Sequence, residues 1–149
     1  MDFLEKMEAA MDYIEAHLDT EIDYAELAHL VACSEYHFSR MFPFIAGQSL
    51  SQYIRRRRLS RAAAELRAAE TVDLLDMAVK YGYSSVDAFA RAFRELHGLP
   101  PSKARGEQTR IKAYPRLTFK MTITGVEEMV YRIVEKDTFW ITGIMRRVK

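Results

Sequence analysis

The stretch LAHLVACSEYHFSRMFPFIAG (residues 27–47) returns in altered form as MAVKYGYSSVDAFARAFRELHG (77–98), and this recurrence decides the fold. Ala28 aligns with Ala78 at an offset of 50. Past the turn the offset becomes 51, pairing Phe38 with Phe89, Arg40 with Arg91, Phe42 with Phe93 and Gly47 with Gly98. The extra residue falls around Tyr83–Ser85. Each copy is a short helix with a small Ala, a tight turn, then a helix with Phe at i and i+4. A helix-turn-helix needs these parts: the Ala lets two helices approach, and the Phe pair buries one face while leaving the other free. Two copies are too few for a solenoid core.

Working outward, apolar residues at Phe3, Met7, Met11, Tyr13, Ile14 and Leu18 predict an amphipathic first helix. Asp23 predicts the cap of a second, Tyr24 to Val31, with Glu26 placed to complete a capping box. Ser34 caps a third that runs to about Ala46 and stops at Gly47. Pro43 falls inside it, where it removes one backbone bond and predicts a kink. A long fourth helix, Ser49 to Ala69, joins the two copies. Asp73 caps a fifth, Leu74 to Tyr81, and Ser84 or Ser85 a sixth, ending at His97 before Gly98. A short seventh turn, Ser102 to Arg105, follows Pro100 and Pro101.

Composition then changes. RLTFKMTITG (116–125), MVYRIVEK (129–136) and FWITGIMRRV (139–148) alternate apolar with polar and predict three strands. The expected fold is mainly α: a seven-helix module over 1–106 with helix-turn-helix motifs at about 23–47 and 73–98. A linker and short β segment over 107–149 follow. Three strands alone leave apolar faces and open edges, so they must dock on the helices or pair with another chain.

The 149 residues are 49% apolar and 29% charged, which suits one packed domain or two small ones. No apolar run approaches the ~18 residues of a membrane span. The start, MDFLEKMEAAMD, lacks the basic and apolar regions of a secretory leader. Cys33 is the one cysteine, which excludes an internal disulfide and fits a reducing cytoplasm. Net charge is only +1, but the charges are segregated. Residues 1–35 carry ten acids against Lys6 alone, whereas 36–61 carry Arg40, Arg55, Arg56, Arg57, Arg58 and Arg61 and no acid. Residues 107–149 carry nine bases and five acids. A folded, acid-free basic segment attracts phosphate whatever the total charge.

Tyr36, Ser39 and Arg40 form an outward stripe opposite Phe38 and Phe42. An α-helix fits the major groove, and Arg can bridge guanine O6 and N7. Arg91 holds the matching place beside Val86, Asp87 and Ala90. Val86 and Ala90 offer only apolar contact, for instance to a thymine methyl. Asp87 either accepts from a cytosine amine or caps its helix. For both arginines the competing reading is an internal salt bridge, and for Tyr36 partial burial. Four consecutive arginines, Arg55 to Arg58, cover all sides of a helix, so at most two face one DNA strand and the rest pair with the acidic first and second helices. Helix starts near Ser49 and Ser102 offer free N–H groups to phosphate. The expected phosphate contacts are His37, Gln48, Ser49, Arg55, Arg56, Arg58, Ser102 and Lys103.

These residues resemble a known family. MAVKYGYSSVDAFARAFRELHGLPPSKAR (77–105) is similar to the signature of the AraC/XylS transcription regulators, and LAHLVACSEYHFSRMFPFIAGQSLSQYIRRRRL (27–59) resembles their first helix-turn-helix. The resemblance covers residues 5–106, about two thirds of the chain. It implies double-stranded DNA as partner, with two recognition helices in successive major-groove segments bridged by a rigid helix. Base contacts would come from Tyr36, Ser39, Arg40, Val86, Asp87, Ala90 and Arg91, and RNA polymerase would be a further partner. The second helix lacks the polar reading residues common in the family, which places more of the discrimination on the first. The tail FKMTITGVEEMVYRIVEKDTFWITGIMRRVK (119–149) resembles the opening of a GyrI-like effector-binding domain. Such domains are much longer, so the resemblance implies that 107–149 holds the first strands of a truncated α+β domain, and a small-molecule effector would require the complete domain.

Other chemistries find little support. His29, Cys33 and His37 have zinc-like spacing, but the predicted turn at Ala32–Ser34 makes them diverge, so no metal or cofactor is expected. GQSLS (47–51) lacks the last Gly and the preceding strand of a nucleophile elbow. No Gly-rich phosphate loop or CxxC pair is present, and an enzyme is the least favoured class. The remaining rival is a protein-interaction module whose C-terminal strands pair with a partner or with a second copy as a homodimer.

Overall fold

Local capping chemistry sets the helix boundaries in the computed structural model, which describes residues 2–106, 109–122 and 125. Asp2 accepts from the Glu5 N–H at 2.8 Å while the Glu5 carboxylate accepts from the Asp2 N–H at 2.9 Å, a closed capping box that starts α1 (Phe3–Ala16). Asp23 caps α2 (Tyr24–Leu30) by accepting from the N–H groups of Ala25 and Glu26. The expected reciprocal bond from Glu26 is replaced, because the Asp23 N–H donates to the Tyr13 hydroxyl at 3.3 Å. Ser34, Ser49, Asp73 and Ser85 cap α3 (Glu35–Ala46), α4 (Leu50–Ala68), α5 (Leu74–Lys80) and α6 (Val86–His97). A short 3-10 turn, Pro101–Lys103, stands where a turn at Ser102 to Arg105 was expected. Helix α3 continues through Pro43 to Gly47, whose N–H donates to the Pro43 carbonyl at 2.9 Å.

The internal repeat is structural. In the first motif the Cys33 N–H donates to the Ala28 carbonyl at 3.0 Å, and in the second the Tyr83 N–H donates to Ala78 at 2.8 Å. Both turns need a left-handed residue. Gly82 supplies it in the second (φ +84°), but Ala32 occupies it in the first (φ +60°), a conformation that a Cβ disfavours. Phe38 and Phe42 are buried 5.8 Å apart in the first motif, as are Phe89 and Phe93 5.7 Å apart in the second.

Two apolar cores result. The first gathers α1, α2 and α3 with Leu50, Tyr53 and Ile54 of α4. The second gathers α5 and α6 with Leu59, Ala62, Ala63 and Leu66 of the same helix. Helix α4 is therefore shared, buried at each end in a different core. Its 19 residues span about 28 Å.

At the described residues of the expected strand at 116–125, which are 116–122 and 125, no strand is formed. Over 109–122 the chain crosses the helices without regular secondary structure, and among the described residues there is no strand. Its polar groups are met by side chains of the helical module instead of a neighbouring strand. The Tyr114 N–H donates to Ser60 Oγ at 2.9 Å, the Leu117 N–H to the Tyr53 hydroxyl at 3.2 Å, and the Phe119 N–H to Glu8 at 3.1 Å. Leu117 and Phe119 pack on the first core and Ile111 on the second. Apolar alternation predicts a strand here, but the segment faces a helical surface instead of a neighbouring strand. The expected strands at 129–136 and 139–148 lie outside the described residues.

Arg116 fastens this strap by donating to Glu8 and Asp12, each at 2.7 Å. Hydrogen bonding from Arg116 holds the Glu8 carboxyl below its usual range. At the other end the buried His97 ring faces two carbonyls, Leu59 at 3.1 Å and Lys112.

Candidate nucleic-acid interface

The solvent face of α3 follows from its buried face. With Phe38 and Phe42 inside, Tyr36, Ser39 and Arg40 are exposed, and Tyr36 retains 71% of its accessible surface. Arg40 donates to the Tyr36 hydroxyl at 3.2 Å, and its guanidinium carbon stands 5.6 Å from the Tyr36 ring centre. The pair is an aromatic shelf supporting a cation. No carboxylate pairs with Arg40 among the described residues, so the internal salt bridge weighed from sequence is not made. His37 is exposed beside them, and its backbone N–H is spent on the Ser34 cap. The stripe continues four residues on to Phe44, which is 90% exposed. Sequence reasoning passed over Phe44 because an aromatic residue at helical spacing reads as core; its i+8 relation to Tyr36 was the available signal.

Helix α6 shows the same geometry with different chemistry. Asp87 and Arg91 are exposed, while Val86 and Ala90 are half-buried. Ser85 is the cap, so the capping alternative for Asp87 falls away; Asp87 lies in the first turn, where a negative charge suits the helix dipole. Arg91 makes no hydrogen bond or ion pair among the described residues.

The four arginines of α4 divide as their angular spread requires. Arg57 grips Glu15 of α1 with two bonds, Nε to Oε1 at 2.7 Å and a terminal nitrogen to Oε2 at 2.8 Å, and also donates to the Tyr114 carbonyl. The Glu15 bonds push the Arg57 pKa up, so the cation is held firmly. Arg58 does not keep its expected phosphate role. Its Nε donates to the Leu18 carbonyl at 2.9 Å and a terminal nitrogen to the Thr20 carbonyl at 2.8 Å, tying α4 to the α1–α2 connection. The cause is rotational: Arg58 lies about 100° past Arg57, on the side of α4 that faces the α1–α2 connection. Arg55 reaches Glu95 of α6 at 3.2 Å, a surface pair that stays exposed. Arg56 donates to Gln48 at 2.7 Å and lies 4.7 Å from the Tyr114 ring centre. Ser49 Oγ accepts from the Gln52 N–H at 3.2 Å and touches Ser51 Oγ. Ser102 and Lys103 are exposed on the 3-10 turn. Glu95 and Glu15, which orient Arg55 and Arg57, were not singled out from sequence, since neither partner is near in the chain.

Among the described residues no group of three or more His, Cys, Asp or Glu could hold a metal ion, and no helix is long and apolar enough to cross a membrane.

Comparison with known proteins agrees with this geometry. The family described as Helix-turn-helix domain matches residues 27–107. The HTH-type transcriptional regulator YbfP of Bacillus subtilis is 32% identical over 105 residues, covering 70% of this chain but only 35% of YbfP. The regulatory protein SoxS of Salmonella typhimurium is 34% identical over 99 residues, 66% of this chain and 92% of SoxS. A solved structure of a probable AraC family transcriptional regulator from Rhodopseudomonas palustris superposes with a TM-score of 0.59 at 27% identity, covering 67% of this chain and 94% of the other. With its repeated motif, shared central helix and outward arginines, the chain belongs to the AraC family of helix-turn-helix transcriptional regulators.

Proposed function

We propose that the chain regulates transcription by reading double-stranded DNA with α3 and α6 in successive major-groove segments. One observation carries this reading: the two motifs present Arg40 and Arg91 at equivalent positions, both exposed and neither paired with a carboxylate among the described residues. An α4 of about 28 Å is comparable to the ~34 Å repeat that separates successive groove segments on one face of DNA. Tyr36, Ser39, Arg40, Val86, Asp87, Ala90 and Arg91 are the proposed base-side residues. Phosphates would be met by His37, Gln48, Ser49, Arg55, Arg56, Ser102 and Lys103. Arg58 leaves that set because its guanidinium is committed internally.

The test is selection of bound duplexes from random DNA with the full chain, followed by Arg40→Ala and Arg91→Ala on the selected site. Each good Arg–guanine pair is worth about 1–3 kcal/mol, so each change should weaken the selected site roughly 5- to 150-fold and leave random duplex little altered. Binding should also weaken steeply with salt. Equal losses on selected and random DNA would reject base reading by that arginine.

The resemblance of residues 119–149 to an effector-binding domain supports a further element of the proposal: the DNA module is cytoplasmic and under small-molecule control. RNA polymerase contact and pairing of two copies through the tail complete it. Copurification with polymerase and sedimentation of the chain test those two.

A further inference from the structure

Phe44 is the most exposed of the large apolar side chains on the described surface, and its position gives it a use. Tyr36, Arg40 and Phe44 fall at i, i+4 and i+8 of α3, one above the other on the face turned from Phe38 and Phe42. Together with His37 and Met41 they line one shallow depression. From Tyr36 to Phe44 is about 12 Å along the helix, close to the ~12 Å width of the B-DNA major groove. Residues 36–61 contain no acid, so the surface carrying this ring has the charge sign that suits a phosphate-lined groove. The repeat supplies the contrast. At the 51-residue offset, the place of Phe44 in α3 is that of Glu95 in α6, which is paired with Arg55. In α6 the end of the stripe is bound to α4. In α3 it is an aromatic ring left exposed among the described residues and continuous with the proposed DNA-reading surface.

We propose that Phe44 is a further specificity-determining residue that covers the 5-methyl group of a thymine at the edge of the base pairs read by Tyr36 and Arg40. This rests on the DNA-reading function above and names one of its contacts. In the major groove a thymine offers an O4 acceptor and that methyl group, and only the methyl has an affinity for an apolar ring. Helix α3 continues past Pro43 to Ala46, so Phe44 stays on the stripe and does not turn into a loop.

The experiment takes the duplex selected by the full chain and replaces each thymine of the α3 half-site, one at a time, by deoxyuridine, which removes only the methyl. Affinities are measured for the unaltered chain and for Phe44→Ala. At one thymine the unaltered chain should lose about four-fold, the worth of one buried methyl group. Phe44→Ala should bind the thymine duplex at least four-fold more weakly and show no further loss at that deoxyuridine. Random duplex should be bound equally by both, and thermal unfolding should be unchanged because the ring touches no core. Deoxyuridine penalties that persist unchanged in Phe44→Ala would overturn the contact. So would unimpaired DNA binding by Phe44→Ala together with loss of a protein complex, which would make the ring a protein-docking element. Failure of the unaltered chain to enrich any sequence would reject the DNA reading itself. A chain that enriches a site but ignores both changes would reject Phe44 alone.

Discussion

The two helix-turn-helix motifs share a backbone plan and differ in how their outer faces are committed. In the first, Arg40 rests on Tyr36 and the stripe ends in the free ring of Phe44. In the second, Arg91 has no side-chain partner among the described residues, Asp87 sits in the first turn, and Glu95 is tied to Arg55. The first motif is also braced from behind. Arg57 and Glu15 clamp α4 to α1, and the strap closes over both through Arg116, Glu8 and Asp12. The second meets the strap chiefly at His97 and Ile111. An oriented cation loses less freedom on binding than a free one, so under the proposed function the braced motif with its preset arginine should be the better discriminator. The half with the richer outer face is thus the half held more rigidly.

The sharpest way to break the comparison is through the cores. Phe42 and Phe93 are equivalent and fully buried, so Phe42→Ala and Phe93→Ala should each cost about 3–5 kcal/mol in denaturant unfolding. Because α4 belongs to both cores, each variant should unfold in one transition at lower denaturant; two separate transitions would mean that the halves are independent.

A smaller effect tests the turns. Gly82→Ala forces a Cβ onto a left-handed residue and should destabilise by about 1–2 kcal/mol. At the equivalent place Ala32→Gly should stabilise by about 0.5–1 kcal/mol, seen as a higher melting temperature. A rise in the first case or a fall in the second would show that backbone strain does not distinguish the motifs.

The strap should give about 1 kcal/mol through Glu8, whose bonds to Arg116 and the Phe119 N–H are partly exposed. The folded Glu8 carboxyl is held below its ordinary value of 4.5, chiefly by the Arg116 bond. Its contribution is therefore present in full above that value and is lost as pH falls through the lower folded value. Glu8→Gln should abolish this acid-dependent part, and the amide resonance of Phe119 should report it.

The smallest change sharpens the contrast between recognition helices. Tyr36→Phe keeps the ring but removes the hydroxyl that receives Arg40, so the selected duplex should be bound roughly two- to five-fold more weakly, about 0.5–1 kcal/mol, with folding unaffected. The second motif has no counterpart, since Asp87 replaces Tyr36 at the same register.

The outward faces of α3 and α6 were legible in the sequence because their determinants are local. Phe38 with Phe42, and Phe89 with Phe93, fix which face of each helix is buried, and Arg40 and Arg91 follow on the opposite side. The four arginines of α4 were only partly legible. That they must diverge follows from 3.6 residues per turn, but which one meets which partner depends on where α1 lies. Arg58 was expected at phosphate and instead holds the carbonyls of Leu18 and Thr20, 40 and 38 residues away. Phe44 was hidden for a different reason: apolar residues are assigned to cores by default, and that default outweighed its i+8 relation to Tyr36, which already placed it on the outward stripe.

What the amino-acid order determined by itself was the repeat and the helices, with caps at Asp23, Ser34 and Asp73 and at Ser84 or Ser85, because a capping bond joins residues two or three apart and needs no tertiary partner. The path of residues 109–122 was decided only by the folded molecule. Alternation makes a segment extended, but whether it meets a strand or a helical surface depends on which donors and acceptors lie within reach. Here Arg116 finds Glu8 across 108 residues of chain, and Tyr53 and Ser60 on α4 take the amides that a sheet would have taken.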